Sequence, residues 1–175
     1  SSEIQDHYEK YKLYYQQSFK FDGVNDRINV TNSNSLNSNR TISIEAWIKI
    51  YSDPSASDDI IINKRGGETG YAFRLVTNNQ VGFLTGRSNF GTLLSTFALS
   101  QNTWHHIVGT YDVNVGRRLY INGILDNSDS ITNQLEFNNV PLIIGHSYFN
   151  VYFNGSIAGV RIYNRSLSAN QIYEL

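Results

Sequence analysis

Two adjacent histidines and three scattered glutamates are the side chains here best suited to moving a proton, and their spacing keeps them apart. His105 and His106 sit within Trp-His-His-Ile-Val-Gly-Thr-Tyr-Asp (104–112). This run is rich in β-branched and aromatic residues, which predicts a strand. Neighbours on a strand point to opposite faces, so the two imidazoles cannot grip one ion as a local pair, and they read as structural. Cleavage of a glycosidic bond needs two carboxylates flanking it. Glu45, Glu68 and Glu136 are isolated, with no Glu-x-Asp-x-Glu run. Nor is there a Ser-His-Asp order with a nucleophile elbow, a phosphate-cradling glycine loop or zinc spacing. The expectation is a protein that is not an enzyme, with a glycosidase as the remote alternative.

Binding chemistry is better represented. Sugars are held by aromatic faces on their C–H surfaces and by planar amide and guanidinium groups on their hydroxyls. Two stretches carry that mix, Arg87-Ser88-Asn89-Phe90 and His146-Ser147-Tyr148-Phe149-Asn150-Val151-Tyr152. The ligand-binding candidates are Arg87, Asn89, Phe90, His146, Tyr148, Phe149 and Tyr152. The competing reading has these aromatics packed down over the rim of the fold. Trp47, on the polar side of its strand, is a further candidate for which packing is the better account, and Tyr71 is weaker still.

The 175 residues suffice for one domain with a real core. Charged residues make up 17% and the net charge is −1, so no global field draws nucleic acid or an anionic membrane. No apolar run approaches the ~20 residues of a membrane span, and no signal peptide is visible. Cysteine is absent, which excludes disulfides and thiolate metal sites. Methionine is absent even at position 1, giving the expectation of a processed form or excised fragment whose targeting signal lay upstream. Four N-x-Ser/Thr sequons, at Asn29, Asn39, Asn154 and Asn164, are candidate glycosylation sites, although chance places about as many in a chain with 21 Asn.

The elements that must hold the candidate residues change character at residue 18. Over 1–17, Ser2 with Gln5 matches a capping box, and Ile4, Tyr8, Tyr11 and Tyr15 recur at helical spacing. This predicts a short N-terminal amphipathic helix that docks on the domain or continues an upstream domain or stalk. From Ser18 the period is two. The clearest strand puts Ile42, Ile44, Ala46, Ile48 and Ile50 on one face and Thr41, Ser43, Glu45, Trp47 and Lys49 on the other, half buried. Further short strands are expected around Phe19–Phe21, Arg27–Val30, Ile60–Ile62, Tyr71–Val76, Val81–Thr85, Leu93–Phe97, Leu135–Phe137, Leu142–Ile144 and Ser156–Tyr163. Arg118–Ile121 meets Asn122-Gly123, which suits a type I′ hairpin turn. Ser168 with Gln171 caps a last helical turn, and Leu167 can staple to Ile172. Many short strands and almost no helix argue for an all-β sandwich or barrel occupying 18–175.

Five separated stretches resemble one family in order. They are Phe-Asp-Gly-Val-Asn-Asp (21–26), Ile-Ser-Ile-Glu-Ala-Trp-Ile-Lys (42–49), the hairpin 104–125, Leu-Ile-Ile-Gly (142–145) and Asn-Gly-Ser-Ile-Ala-Gly-Val-Arg-Ile-Tyr-Asn-Arg-Ser-Leu-Ser (154–168). Together they are similar to the laminin-G-like, concanavalin-A-like jelly-roll domains. The resemblance implies a two-sheet antiparallel jelly-roll sandwich that serves recognition outside the cell. The implied role is a non-catalytic, extracellular or cell-surface module binding glycan in adhesion. A protein-binding structural or adhesion module (a filament, surface-layer or viral attachment component) is the alternative. Relatives often hold calcium near the Asp of Phe-Asp-Gly, which would bring in Asp22 and Asp26 here. The acidic residues that relatives carry just before Val-Arg-Ile-Tyr-Asn are Ala158 and Gly159 in this chain, which weakens that implication. The acidic loop of Asp53, Asp58 and Asp59 is a second possibility for a cation, and reads more simply as a solvated loop.

Overall fold

Alternation along β3 (Thr41–Ile50) sets the two layers of the molecule. Ile42, Ile44, Ala46, Ile48 and Ile50 all enter one continuous core, as a side-chain period of two requires. The computed structural model describes residues 17–54, 59–67, 69–86, 91–133, 135–136, 138–146 and 151–175. One sheet runs in the order β1 (Phe19–Asp22), β12 (Asn154–Tyr163), β3, β8 (Trp104–Asp112), β9 (Gly116–Ile121) and β10 (Ile124–Asp129). The other runs β2 (Ile28–Val30), β11 (Leu142–Ile144), β4 (Asp59–Gly66), β5 (Thr69–Val76), β6 (Gln80–Thr85) and β7 (Leu93–Ala98). All pairings are antiparallel.

The inner faces meet through Phe21, Ile44, Ile48, Ile62, Phe73, Phe83, Ile107 and Phe153, each buried. Burying one such side chain contributes about 1.5–3 kcal/mol, so the interlayer contact dominates the stability. The turn between β9 and β10 has the two positive φ values of a primed hairpin, 52° at Asn122 and 79° at Gly123. Ser168 caps the short helix α1 (Ala169–Tyr173) in a complete capping box with Gln171. Leu167 and Ile172 then seal Val108 and Tyr120 on the outside of the first sheet. No helix among the described residues is long and apolar enough to cross a membrane.

Three expectations need correcting, and one lies out of reach. β3 is not half buried: Ser43, Glu45 and Trp47 on its outer face are as enclosed as the isoleucines, because β12 and the segment leading to α1 close over them. β4 continues past Ile62 through Lys64 and Arg65, which pair with Tyr71 and Gly70. Pairing to β5 outweighs the polar composition of Asn-Lys-Arg there. The run 135–137 forms no strand at its described residues; Leu135 enters the core from irregular backbone. The N-terminal helix expected over 1–17 falls, but for Gln17, outside the described residues, and the helix that is described stands at the C-terminal end.

Candidate functional site

The connection from β11 to β12 begins where the chain must turn sharply off the second sheet and cross to the first. Gly145 has φ +82°, and a Cβ on it would run into the Phe21 ring, so only glycine sits there without strain. Its amide donates to the Ile61 carbonyl at 3.0 Å, and the Phe153 amide donates back to Gly145 at 2.9 Å. His146 and Tyr152, the next residues outward, form an isolated antiparallel bridge. Their rings stack with centroids 4.3 Å apart and 29° between planes. His146 is only 4% exposed, yet among the described residues neither of its ring nitrogens has a hydrogen-bond partner. Buried polar atoms are ordinarily paired, so this imidazole carries unused bonding capacity. Burial first, and the nearby charge of Arg27 second, hold its pKa below the usual histidine value. Arg27 is brought near by strand pairing: Ile28 on β2 is opposite Ile144 on β11, so the chain before Ile28 and the chain after Ile144 lie at the same end of the pair.

The tip of this loop, with Tyr148 and Phe149, lies outside the described residues, as do Arg87, Asn89 and Phe90. Topology nonetheless separates the two loops. Gly86, at the foot of the first, bonds Gly70, which pairs with Arg65 at the far end of β4. Gly145 contacts Ile61 near its start. The described feet of the two loops, Gly86 and Gly145, therefore stand at opposite ends of β4.

The histidine pair divides as alternation demands. His105 turns inward, its Nε2 accepting from the Ser100 amide at 3.1 Å and its Nδ1 3.4 Å from the Asn122 amide nitrogen. Burial lowers its pKa. His106 turns outward and stacks on Trp47, centroids 4.8 Å apart. Its Nε2 lies 3.3 Å from Glu45, which also accepts 2.7 Å bonds from Arg161 and from the Tyr163 hydroxyl. Burial would raise the Glu45 carboxyl, but these hydrogen bonds and the neighbouring charges outweigh it and hold it below the ordinary value. The same network, with burial its largest cause, pushes the Tyr163 phenol up to about 12. Glu45's partners are thus two bases and a phenol, which lock β3, β8 and β12 together. Trp47, 2% exposed, and Tyr71, whose hydroxyl bonds the Leu36 carbonyl at 3.1 Å, are packed inside the protein, not presented to a ligand.

At the β1–β2 turn, Asp22 Oδ1 accepts from the amides of Val24 (2.8 Å) and Asn25 (3.3 Å), and Asp26 Oδ2 from that of Asp22 (3.0 Å). The Val24 bond is the largest influence in holding the Asp22 carboxyl low. A hard cation takes about six to eight oxygens, and among the described residues no three His, Asp or Glu side chains converge. As arranged, with their oxygens turned onto backbone amides of the turn, these two carboxylates do not by themselves fit a calcium ion. Of the sequons, Asn29, Asn39 and Asn164 are exposed, while the Asn154 side chain donates to Ser52 at 3.0 Å.

Three side chains escaped the sequence reading. Arg27 is one. Arg117 is buried inside the sandwich, its Nε bonding both Asp129 oxygens (3.1 and 3.0 Å) and its Nη1 the Gly91 carbonyl at 3.0 Å. Lys64 is buried with its amine on the Asn138 carbonyl at 3.1 Å, its pKa lowered by burial. Arg117 and Lys64 depend on partners distant in the chain, and Arg27 on its place beside β11, none of which local spacing reveals.

Two antiparallel sheets, an apolar interlayer and polar loops gathered at the ends define a jelly-roll β-sandwich of the lectin type. The chain belongs to the concanavalin A-like lectin/glucanases superfamily, whose laminin-G-type sequence profile matches residues 22–173. Among solved structures it is similar to the binding domain of Paraclostridial Mosquitocidal Protein 1, at 20% identity and TM-score 0.73, over 88% of this chain and 42% of that one. It is likewise similar to the ligand binding domain of botulinum neurotoxin serotype D in complex with N-acetylneuraminic acid, at 24% identity and TM-score 0.73, over 90% and 41%. The receptor binding domain of botulinum neurotoxin D gives 24% identity and TM-score 0.72, over 90% and 42%. The chain thus spans about two fifths of the length of these structures, and at such identities the likeness is one of fold. Comparison with curated proteins gives no match.

Proposed function

We propose that this domain is a non-catalytic recognition module that binds glycan outside the cell, through the rim at His146 and Tyr152. The carrying observation is the buried His146 ring, stacked on Tyr152 with both nitrogens unpartnered. A neutral imidazole offers one donor and one acceptor, which matches the hydroxyls of a sugar, and Tyr152 supplies the aromatic wall usual in such sites. Superfamily membership supports the reading without choosing the ligand, since the fold hosts binders and enzymes alike. The neurotoxin domain seen with N-acetylneuraminic acid supports it in the same limited sense. Oligosaccharide array screening followed by titration tests it. Saturable binding at millimolar concentration or tighter is expected; no binding overturns the reading, and release of reducing ends from a polysaccharide would make the domain a glycosidase instead.

One observation favours a second reading, a protein-binding adhesion module. Ile124, Leu125 and Tyr173 are about half exposed or more at the edge strand β10 and the helix beside it. Exposed apolar side chains at a sheet edge are a common contact with other proteins. Concentration-dependent association, abolished by Leu125→Asp, with no sugar bound, would favour it.

A further inference from the structure

The rim that holds His146 also holds a cation with no ion-pair partner among the described residues. Arg27 is exposed on the turn entering β2 and makes no ion pair or hydrogen bond among the described residues. β2 and β11 are antiparallel neighbours with Ile28 opposite Ile144. The chain leaving β11 at His146 therefore passes the chain entering β2 at Arg27. One corner thus holds a guanidinium and a buried imidazole, neither with a hydrogen-bond partner among the described residues.

We infer that Arg27 and His146 read a single anionic group, the carboxylate or sulfate of an acidic sugar in the bound glycan. This rests on the glycan reading above and sharpens it. The guanidinium fork matches a carboxylate or sulfate edge with two parallel N–H···O bonds. The imidazole, kept neutral by its surroundings, bonds an adjoining oxygen of the same sugar. A neutral sugar would satisfy His146 but leave Arg27 facing water.

The local charges also limit the ligand to one anion. Asp26 precedes Arg27 and Asp22 lies four residues earlier, both on the same turn and both held by its amides. Their negative charge disfavours a densely sulfated polyanion, and the net charge of −1 supplies no wider attraction. The corner therefore suits an isolated acidic residue among neutral ones.

Calorimetric titration of the whole domain with lactose, 3′-sialyllactose and 3′-sulfolactose tests this, because the three share a core and differ in the anion. At least tenfold tighter binding of one or both acidic sugars is expected, with the carboxylate and sulfate arms showing which the corner accepts. Arg27→Ala, an exposed change whose melting temperature checks the fold, should reduce acidic-sugar affinity to the lactose level. The His146 ring signals in NMR should move on adding the acidic sugar. Equal binding of lactose and both acidic sugars, or an Arg27→Ala variant that keeps the preference, overturns this inference and leaves the glycan reading standing. Failure of all three sugars to bind or to shift the His146 signals overturns this inference directly, and an empty oligosaccharide array would then overturn the glycan reading too.

Discussion

The Tyr163 hydroxyl donates a 2.7 Å hydrogen bond to Glu45, tying the last strand of the first sheet to the third. Arg161 reaches the other carboxylate oxygen at 2.7 Å, and His106 shares that oxygen at 3.3 Å. A carboxyl held below its ordinary value in the folded state adds stability that is complete above the unfolded value, about 4.3. That stability is lost as pH falls through the lower folded value. The urea midpoint of the wild type should therefore fall more steeply between about pH 5 and pH 3 than that of Glu45→Gln. Parallel slopes for the two proteins would contradict the network described.

Gly145→Ala should destabilise the fold by about 2–4 kcal/mol, since it meets both a positive φ and the Phe21 ring. Chemical denaturation measures it. A loss below about 0.5 kcal/mol would mean the loop can shift without cost.

Ser168→Ala removes the oxygen that accepts from the Gln171 amide at 3.3 Å. A lost N-cap costs about 1 kcal/mol. The melting temperature should fall by roughly 2–4 °C, and Ser168→Asp should recover most of the loss.

Tyr152→Ala should weaken sugar binding about tenfold or more, through loss of the aromatic wall and of the ring that orders His146. Trp47→Phe should leave affinity unchanged, because Trp47 stacks on His106 inside the protein. Titration of both variants with one glycan decides between rim and sheet face.

Millimolar calcium should shift the melting temperature by less than about 1 °C, because ligand stabilisation grows only when concentration exceeds the dissociation constant. A rise of several degrees, reversed by a chelator and absent in Asp22→Asn, would place an ion at the β1–β2 turn after all.

Much of the framework was legible from local pattern. Alternation in 41–50, the β-rich run 104–112, the Asn122-Gly123 turn and the Ser168 cap each express physics within a few residues, and each appears as expected. Of the proposed binding residues, His146 and Tyr152 stand opposite each other in an isolated bridge, a pairing that local spacing does not show. The burial of His146 was not legible, because it depends on packing that local spacing does not set, just as Gly145 is fixed by Phe21, more than a hundred residues away in sequence.

By itself, the sequence determined which residues alternate, where the chain turns and that two layers of strands must close over a shared apolar face, because those are matters of side-chain period and turn chemistry. Only tertiary structure decided that Glu45 would be enclosed by Arg161 and Tyr163, that Gly86 and Gly145 would stand at opposite ends of β4, and that the charge of Arg27 would reach His146. Those relationships depend on strand order and register, which long-range packing sets.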